Sequence, residues 1–233
     1  MPEKEERPFV RSLSRFSAWI LAGLVVFSIL QVALIRFVNP PATPLMVYGW
    51  LSGEGLDFRW LSLSKISPFL QQAVIAAEDQ RFLSHQGFDW EQIEQALEEY
   101  RQEGRRRGAS TITMQVARNL YLLQGYSWLR KGLEVYYTAL IELLWPKWRI
   151  MEVYLNIAEW GPGIFGAEAA ARRYFRCSAA ALTKPQAALL AAVLPNPRRW
   201  SPESPTRYIR KRQTTILDQM DRLGPILKTS PEQ

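Results

Sequence analysis

Cysteine and histidine each occur once in the 233 residues. The lone Cys177 excludes an intrachain disulfide and any multi-cysteine metal site, and the lone His85 leaves no zinc-type cluster. Strand–helix alternation is missing, as are a glycine-rich phosphate loop of the Walker or dinucleotide type and any internal repeat. Acid is in deficit: 22 Asp and Glu stand against 29 Lys and Arg, a formal charge of +7. That balance favours an anionic partner, whether nucleic acid, a membrane surface or a phosphate-bearing substrate, and does not choose among them.

Charge is absent from one long run. Phe16 to Val38, "FSAWILAGLVVFSILQVALIRFV", carries none until Arg36 and reaches the roughly 20 residues needed to cross a bilayer. A signal peptide is the competing reading, but its apolar core is usually shorter and ends at a small-x-small site, whereas this run continues into "NPPATP". Arg7, Arg11 and Arg15 precede the span and Arg36 alone sits at its far end. The positive-inside rule then puts the N-terminus in the cytoplasm and everything after Pro40 outside.

The expected division is a basic tail (1–15), a transmembrane helix (16–38), a linker segment (39–66), one main domain (67–224) and a C-terminal tail (225–233). "NPPATP" is a stiff, helix-breaking linker, and Leu45 to Leu63 reads as a turn-rich, extended segment. From Ser67 onward the pattern is nearly all helical. Expected helices are Pro68 to Leu83, Trp90 to Gln102, Thr111 to Leu122, Trp128 to Leu144, Lys147 to Glu159, Ala167 to Phe175, Lys184 to Val193 and Pro205 to Leu223.

In the first of these, Leu70, Val74, Glu78 and Phe82 recur at steps of four, with Ala73, Ala77 and Arg81 beside them. The stripe is apolar apart from Glu78 and Arg81, and Asp79 points about 100° away from it. A carboxylate on a buried face needs partners or a raised pKa, and both conditions are common where protons are transferred. A structural salt bridge, to Arg81 or to another segment, is the competing account.

Three further stretches combine charge with helix signals. "QEGRRRGASTITMQVARNL" (Gln102 to Leu120) runs from a basic loop into a helix start marked by Gly108, Ser110 and Thr111, and places Thr111, Gln115, Arg118 and Asn119 on one polar face; on these residues alone a solvated basic loop and an ordinary polar face compete with an anion site. "SWLRKGLEVYYTALIELLW" (Ser127 to Trp145) sets Arg130, Lys131 and Glu134 within one turn. An exposed helix pair is worth only about 0.3–0.5 kcal/mol, and the favourable order puts Glu before the base, the reverse of this one. A second acid with two cations at a cleft would instead suit an anionic leaving group. "KWRIMEVYLNIAEWGPGIFGAEAAARRYF" (Lys147 to Phe175) adds Glu152 and Asn156 at i,i+4 and a glycine-rich turn.

Together and in order, "EDQRFLSHQG" (Glu78 to Gly87), "GASTITMQ" (Gly108 to Gln115), "RKGLE" (Arg130 to Glu134), "KWRIMEVYLN" (Lys147 to Asn156) and "GIFGAEAAA" (Gly163 to Ala171) resemble the family 51 glycosyltransferases, which polymerise the glycan strands of bacterial peptidoglycan. The chain looks most like the monofunctional biosynthetic type, because it stops at Gln233 without room for a transpeptidase domain. The "SLSK" at Ser62 to Lys65 fits S-x-x-K but lacks the companion motifs.

The resemblance implies a mainly α, lysozyme-like glycosyltransferase domain after one N-terminal transmembrane helix, in the bacterial inner membrane with its catalytic domain in the periplasm. It implies lipid II and the growing glycan strand as substrates, other cell-wall synthesis and division proteins as partners, and no nucleic acid. Glu78 would be the general base and Glu134 the second catalytic acid. Asp79, Arg81, Phe82, His85, Ser110, Thr111, Gln115, Arg118, Asn119, Arg130, Lys131, Glu152 and Asn156 would bind substrate, with Arg118, Arg130 and Lys131 at the diphosphate. No metal ligand is assigned; the resemblance allows a divalent ion, Mg or Mn, organised by Glu134. Two positions depart from the family pattern: Met114 stands where a second glutamine is usual, and Arg118 where a lysine is usual. The rivals are a lysozyme-like glycan-cleaving lytic transglycosylase, which needs one acid and no diphosphate site, and a non-catalytic membrane-tethered scaffold.

Overall fold

The computed structural model describes residues 8–104, 108–123, 125 and 127–224, with side chains from 15 onward. Arg7, the Arg11 side chain, the basic loop Arg105 to Arg107 and the tail 225–233 lie outside the described residues. The chain divides into two units, Met1–Val38 and Asn39–Gln233.

The first unit is helix α1, Pro8–Ile35. Its stretch Arg15–Ile35 has a mean hydropathy of 2.4 and is the one helix among the described residues long and apolar enough to cross a membrane. Phe16, Trp19, Leu21, Phe27 and Leu30 stand exposed along it, as lipid-facing side chains would. The expected span ran three residues further. Arg36 to Val38 instead close the helix in a turn, with the Val38 N–H donating to the Leu34 carbonyl at 3.0 Å, just before Asn39–Pro40, where a residue preceding proline is disfavoured in helix.

The second unit opens with a helix that was expected to be extended chain. Thr43 accepts the Met46 N–H and Pro44 occupies the first turn, which starts α2 (Pro44–Leu51). Strand β1 (Asp57–Phe58) and a 3₁₀ turn (Leu63–Lys65) follow. Then come α3 (Pro68–Glu78), α4 (Trp90–Glu103), α5 (Ile112–Tyr121), α6 (Trp128–Leu144), α7 (Lys147–Ile157), strands β2 (Glu159–Gly161) and β3 (Ile164–Phe165), and helices α8 (Ala167–Phe175), α9 (Lys184–Val193) and α10 (Arg207–Leu223). The small sheet has the order β1-β3-β2, with β1 parallel and β2 antiparallel to β3. Strand alternation is not legible in pieces of two and three residues, so this sheet was not expected.

The core forms around two helices that have almost no solvent face. All residues of α7 from Arg149 to Ile157 are buried, and so are all of α9 from Ala187 to Val193. The alanines of α9 let α3 and α10 pack closely against it, while α5 and α8 pack on α7. On α3 the expected stripe is buried at Leu70, Ala73 and Val74.

Helix α3 ends at Glu78, five residues before its expected limit. Asp79 leaves the helical region, at φ −163° and ψ 77°. Its carboxylate accepts from His85 Nε2 at 2.9 and 3.0 Å and from the Ile112 N–H at 3.0 Å, the first residue of α5. These charge-assisted bonds to a helix N-terminus outweigh another turn of helix.

Gly166 caps α8 at φ +85°, and a Cβ there would lie 2.7 Å from the Asn156 carbonyl oxygen. Backbone cannot yield as a side chain can. Gly166→Ala is expected to lose about 1–3 kcal/mol, read by calorimetry of the detergent-purified chain as a Tm about 2–4 °C lower per kcal/mol; an unchanged Tm would show that the α7–α8 junction is not so tightly fixed.

Candidate active site

Glu78 is the last helical residue of α3 and its side chain keeps only 14% of its exposure. It borders a cleft of about 710 Å³ closed by α5 on one wall and α10 on another. Gln115 Nε2 donates to Glu78 Oε2 at 3.0 Å, and the Tyr154 hydroxyl donates to Gln115 Oε1 at 3.2 Å. This chain fixes which way the Gln115 amide faces. The other oxygen, Oε1, has among the described residues only Arg212 Nη2 at 3.5 Å.

Burial pushes the Glu78 carboxyl above its ordinary 4.5, against the Gln115 hydrogen bond and the positive charges of Arg212 and Arg118, which pull it down. Burial likewise raises the Tyr154 phenol far above its ordinary value, with the Glu78 charge adding to the effect. Tyr154 therefore remains a hydrogen-bond donor and does not compete for the proton.

Of the expected residues, the structure brings Glu78, Asp79, Arg81, Ser110, Thr111, Gln115 and Arg118 to this cleft. Thr111 also caps α5, accepting the Met114 N–H, and its hydroxyl donates to the Gly87 carbonyl at 2.6 Å. Arg81 is paired with Glu91 and lies 3.6 Å from Asp89. Of the two salt bridges anticipated as the structural alternative, the one to Arg81 is not formed, while the one to another segment is: Arg212 of α10 lies 3.5 Å from Glu78. Met114, left out of the site, is in the core at 5% exposure.

Seven expected binding residues, Phe82, His85, Asn119, Arg130, Lys131, Glu152 and Asn156, do not line the cleft, and neither does Glu134. Phe82 is a core side chain with Lys147 Nζ 4.6 Å from its ring centroid. His85 faces Asp79. Glu152 accepts the Leu63 N–H at 2.8 Å, and Asn156 both accepts from and donates to the Leu61 backbone at 2.8 Å. Through those bonds Glu152 and Asn156 hold the 61–63 segment onto α7. Asn119 is half-exposed on α5 outside the cleft wall.

Glu134 is not one half of an exposed helix pair, the competing account of it. It is 1% exposed, with Lys131 Nζ at 2.6 Å from Oε1 and Arg130 Nη1 at 3.5 Å from Oε2. The value of a few tenths of a kcal/mol for a surface pair does not apply to a buried carboxylate, whose lost partner commonly costs about 3–5 kcal/mol, less here because Lys131 is 43% exposed. Both oxygens already face a cation, so this donor set does not fit a resident divalent ion. Among the described residues there is also no group of three acidic, histidine or cysteine side chains that could hold one.

Arg212 was missed. It falls between the buried Ile209 and Ile216 of α10, so a cation on an apolar stripe carried the same signal as Glu78 on α3. Its buried Nε–H has no protein partner among the described residues.

A largely buried carboxylate with raised pKa, one oxygen fixed and the other facing an arginine, is a site for general acid–base chemistry on an anionic substrate. A transglycosylase family model matches residues 47–221. A biosynthetic peptidoglycan transglycosylase of Rhodospirillum centenum is 55% identical over 207 residues, 88% of this chain and 89% of the relative. One of Pseudomonas putida is 51% identical over 221 residues, 92% of each, and one of Xanthomonas campestris is 47% identical over 234 residues, 96% of this chain and 95% of the relative. The chain belongs to the transglycosylase family: it is a peptidoglycan glycosyltransferase with a mainly α, lysozyme-like domain and one N-terminal apolar helix compatible with a membrane anchor.

A raised carboxyl pKa in the folded state means the native chain holds the Glu78 proton more tightly than the unfolded chain. Stability from this group is present below 4.5 and is lost as pH rises through the folded value. The same ionisation creates the base, so the acid limb of the rate profile is expected above pH 4.5. Arg212→Met removes a charge that lowers that pKa and should move the limb to higher pH; a limb that stays in place would remove Arg212 from the electrostatics of Glu78.

Proposed function

We propose that the enzyme polymerises lipid II into linear β-1,4 glycan strands, with the growing strand as glycosyl donor, by direct displacement at the anomeric carbon. The observation that carries this is Glu78, whose Oε2 is held by Gln115 while Oε1 has the longer, 3.5 Å contact to Arg212, in a cleft lined by Arg118 and Arg212.

In this mechanism Glu78 takes the proton from the acceptor's sugar 4-hydroxyl. The oxygen forms its bond to the donor's anomeric carbon as the bond from that carbon to the lipid diphosphate breaks. The diphosphate leaves with the electron pair, and positive charge lowers the barrier to its departure. Arg118, Arg130 and Lys131 supply that charge, with Glu134 fixing the orientation of the last two. A single displacement inverts the anomeric configuration, so an α-linked donor gives β-linked product. No step requires a metal ion.

The enzyme works from the outer face of the bacterial inner membrane, anchored by α1 with its N-terminus in the cytoplasm, where a lipid-borne substrate and other cell-wall synthesis and division proteins are within reach. Three arginines before the apolar run against one at its end favour that orientation. A reporter enzyme fused after Gln233 is expected to be active only in the periplasm; cytoplasmic activity would reverse the orientation.

Glu78→Gln keeps the size of the side chain and removes the base. Polymerisation of lipid II by the detergent-purified variant, followed by gel sizing of the glycan, is expected to fall about 10²- to 10⁴-fold, while lipid II binding is retained. Because the substitution also abolishes the burial cost of an ionised carboxylate, its Tm relative to the wild type should be higher near neutral pH than at about pH 4. A variant that still polymerises would refute Glu78 as the base.

A further inference from the structure

A second cavity, of about 620 Å³, lies among the turn after α2, the β2–β3 turn, the end of α8 and the segment from Pro197 to Ser201. Its size is that of a small-ligand site. The chain that borders it is continuous with the wall of the Glu78 cleft, which Leu194 and Pro195 line.

The cavity's charges compensate one another. Arg173, Arg198 and Arg199 are matched by Glu54, Asp57 and Glu203, so the cavity does not select an anion such as the diphosphate. Arg198 is held bidentately by Glu54 at 2.8 and 2.9 Å and reaches Glu159 at 3.1 Å. These polar groups are thereby fixed in direction without presenting a net field. Two aromatic rings are fixed beside them. Tyr174 donates its hydroxyl to the Trp160 carbonyl at 3.0 Å, and Trp200 rests on Tyr208 with centroids 5.4 Å apart. Immobilised rings among neutralised, directional donors and acceptors match a ligand that is uncharged, rich in hydroxyls and apolar on its ring faces. That is the chemistry of a sugar chain.

We propose that this cavity is a glycan subsite that holds sugar residues of the strand already made, which passes from the cleft along Leu194 to Ser201. The proposal rests on the reading of the enzyme as a strand polymerase. A subsite that grips the product slows its release, so its loss shortens strands without slowing the first couplings.

The test uses the full chain in detergent micelles. A tetramer of β-1,4-linked N-acetylglucosamine is the binding probe, read by saturation-transfer NMR, and lipid II is the substrate, read by initial rate and strand length. Trp200→Ala is expected to weaken tetramer binding about two- to tenfold, the size of one lost aromatic contact. It should shorten the strands and leave the initial rate of lipid II consumption unchanged, and Trp200→Phe should restore both properties in part. Arg173→Ala keeps the proposal falsifiable should Trp200→Ala melt early, because the Arg173 side chain is 59% exposed and only loosely paired, 3.9 Å from Glu203; it too should bind the tetramer more weakly and make shorter strands. Equal tetramer binding by wild type and the variants, or no binding by the wild type, overturns the subsite and leaves the polymerase reading intact. A wild type that binds the tetramer through Trp200 but consumes no lipid II would instead defeat the polymerase reading and, with it, the assignment of the cavity to a product strand.

Discussion

The Asp79 carboxylate joins three parts of the chain: it terminates α3, receives the His85 imidazole, and accepts the N–H of Ile112 that opens α5. Glu78 and Gln115 are in contact because of that junction. One residue before Asp79, the end of α3 delivers Glu78 into the cleft; one turn into α5, Gln115 meets it. A buried aspartate bonded to an imidazole and to a helix N-terminus is locked from both sides, since any displacement would leave a charged group without partners in a low-dielectric setting.

Helix α7 supplies the fixed surface behind this junction. Its buried polar side chains are all engaged: Arg149 with Glu152 and, at 2.9 Å, with Asn39; Glu152 with the Leu63 backbone; Asn156 with the Leu61 backbone. Tyr154 stands on the same helix and orients the Gln115 amide. A buried helix that binds the 61–63 segment on one side and sets the hydrogen-bond direction at Glu78 on another links core packing to the chemistry of the site.

Glu78 and Glu134 sit in contrasting surroundings. Glu78 is partly desolvated with one neutral donor and a distant guanidinium, so burial dominates and its proton affinity rises. Glu134 is more deeply buried but has a cation at each oxygen. One environment suits an acid that gains and loses a proton, and the other an acid that holds two cations in place.

Local pattern determined what depends on neighbours in sequence. The apolar run of α1, the limits of α6, α8 and α9, the stripe that placed Glu78 on an inward face and the ordered motifs of the family are all readable in the residues, because helical periodicity and caps are short-range properties. The Thr43–Pro44 start of α2 and the position of Arg212 on the buried stripe of α10 were equally local signals that went unused. Only the tertiary structure decided which partners those faces meet. Asp79 turned out of the helix toward α5 because of a residue 33 positions away. Glu152 and Asn156 were spent on backbone 89 and 95 positions distant, and Glu78 acquired Arg212 from 134 positions away. Periodicity fixes the face a side chain occupies, but hydrogen bonding and desolvation depend on what the fold brings opposite that face.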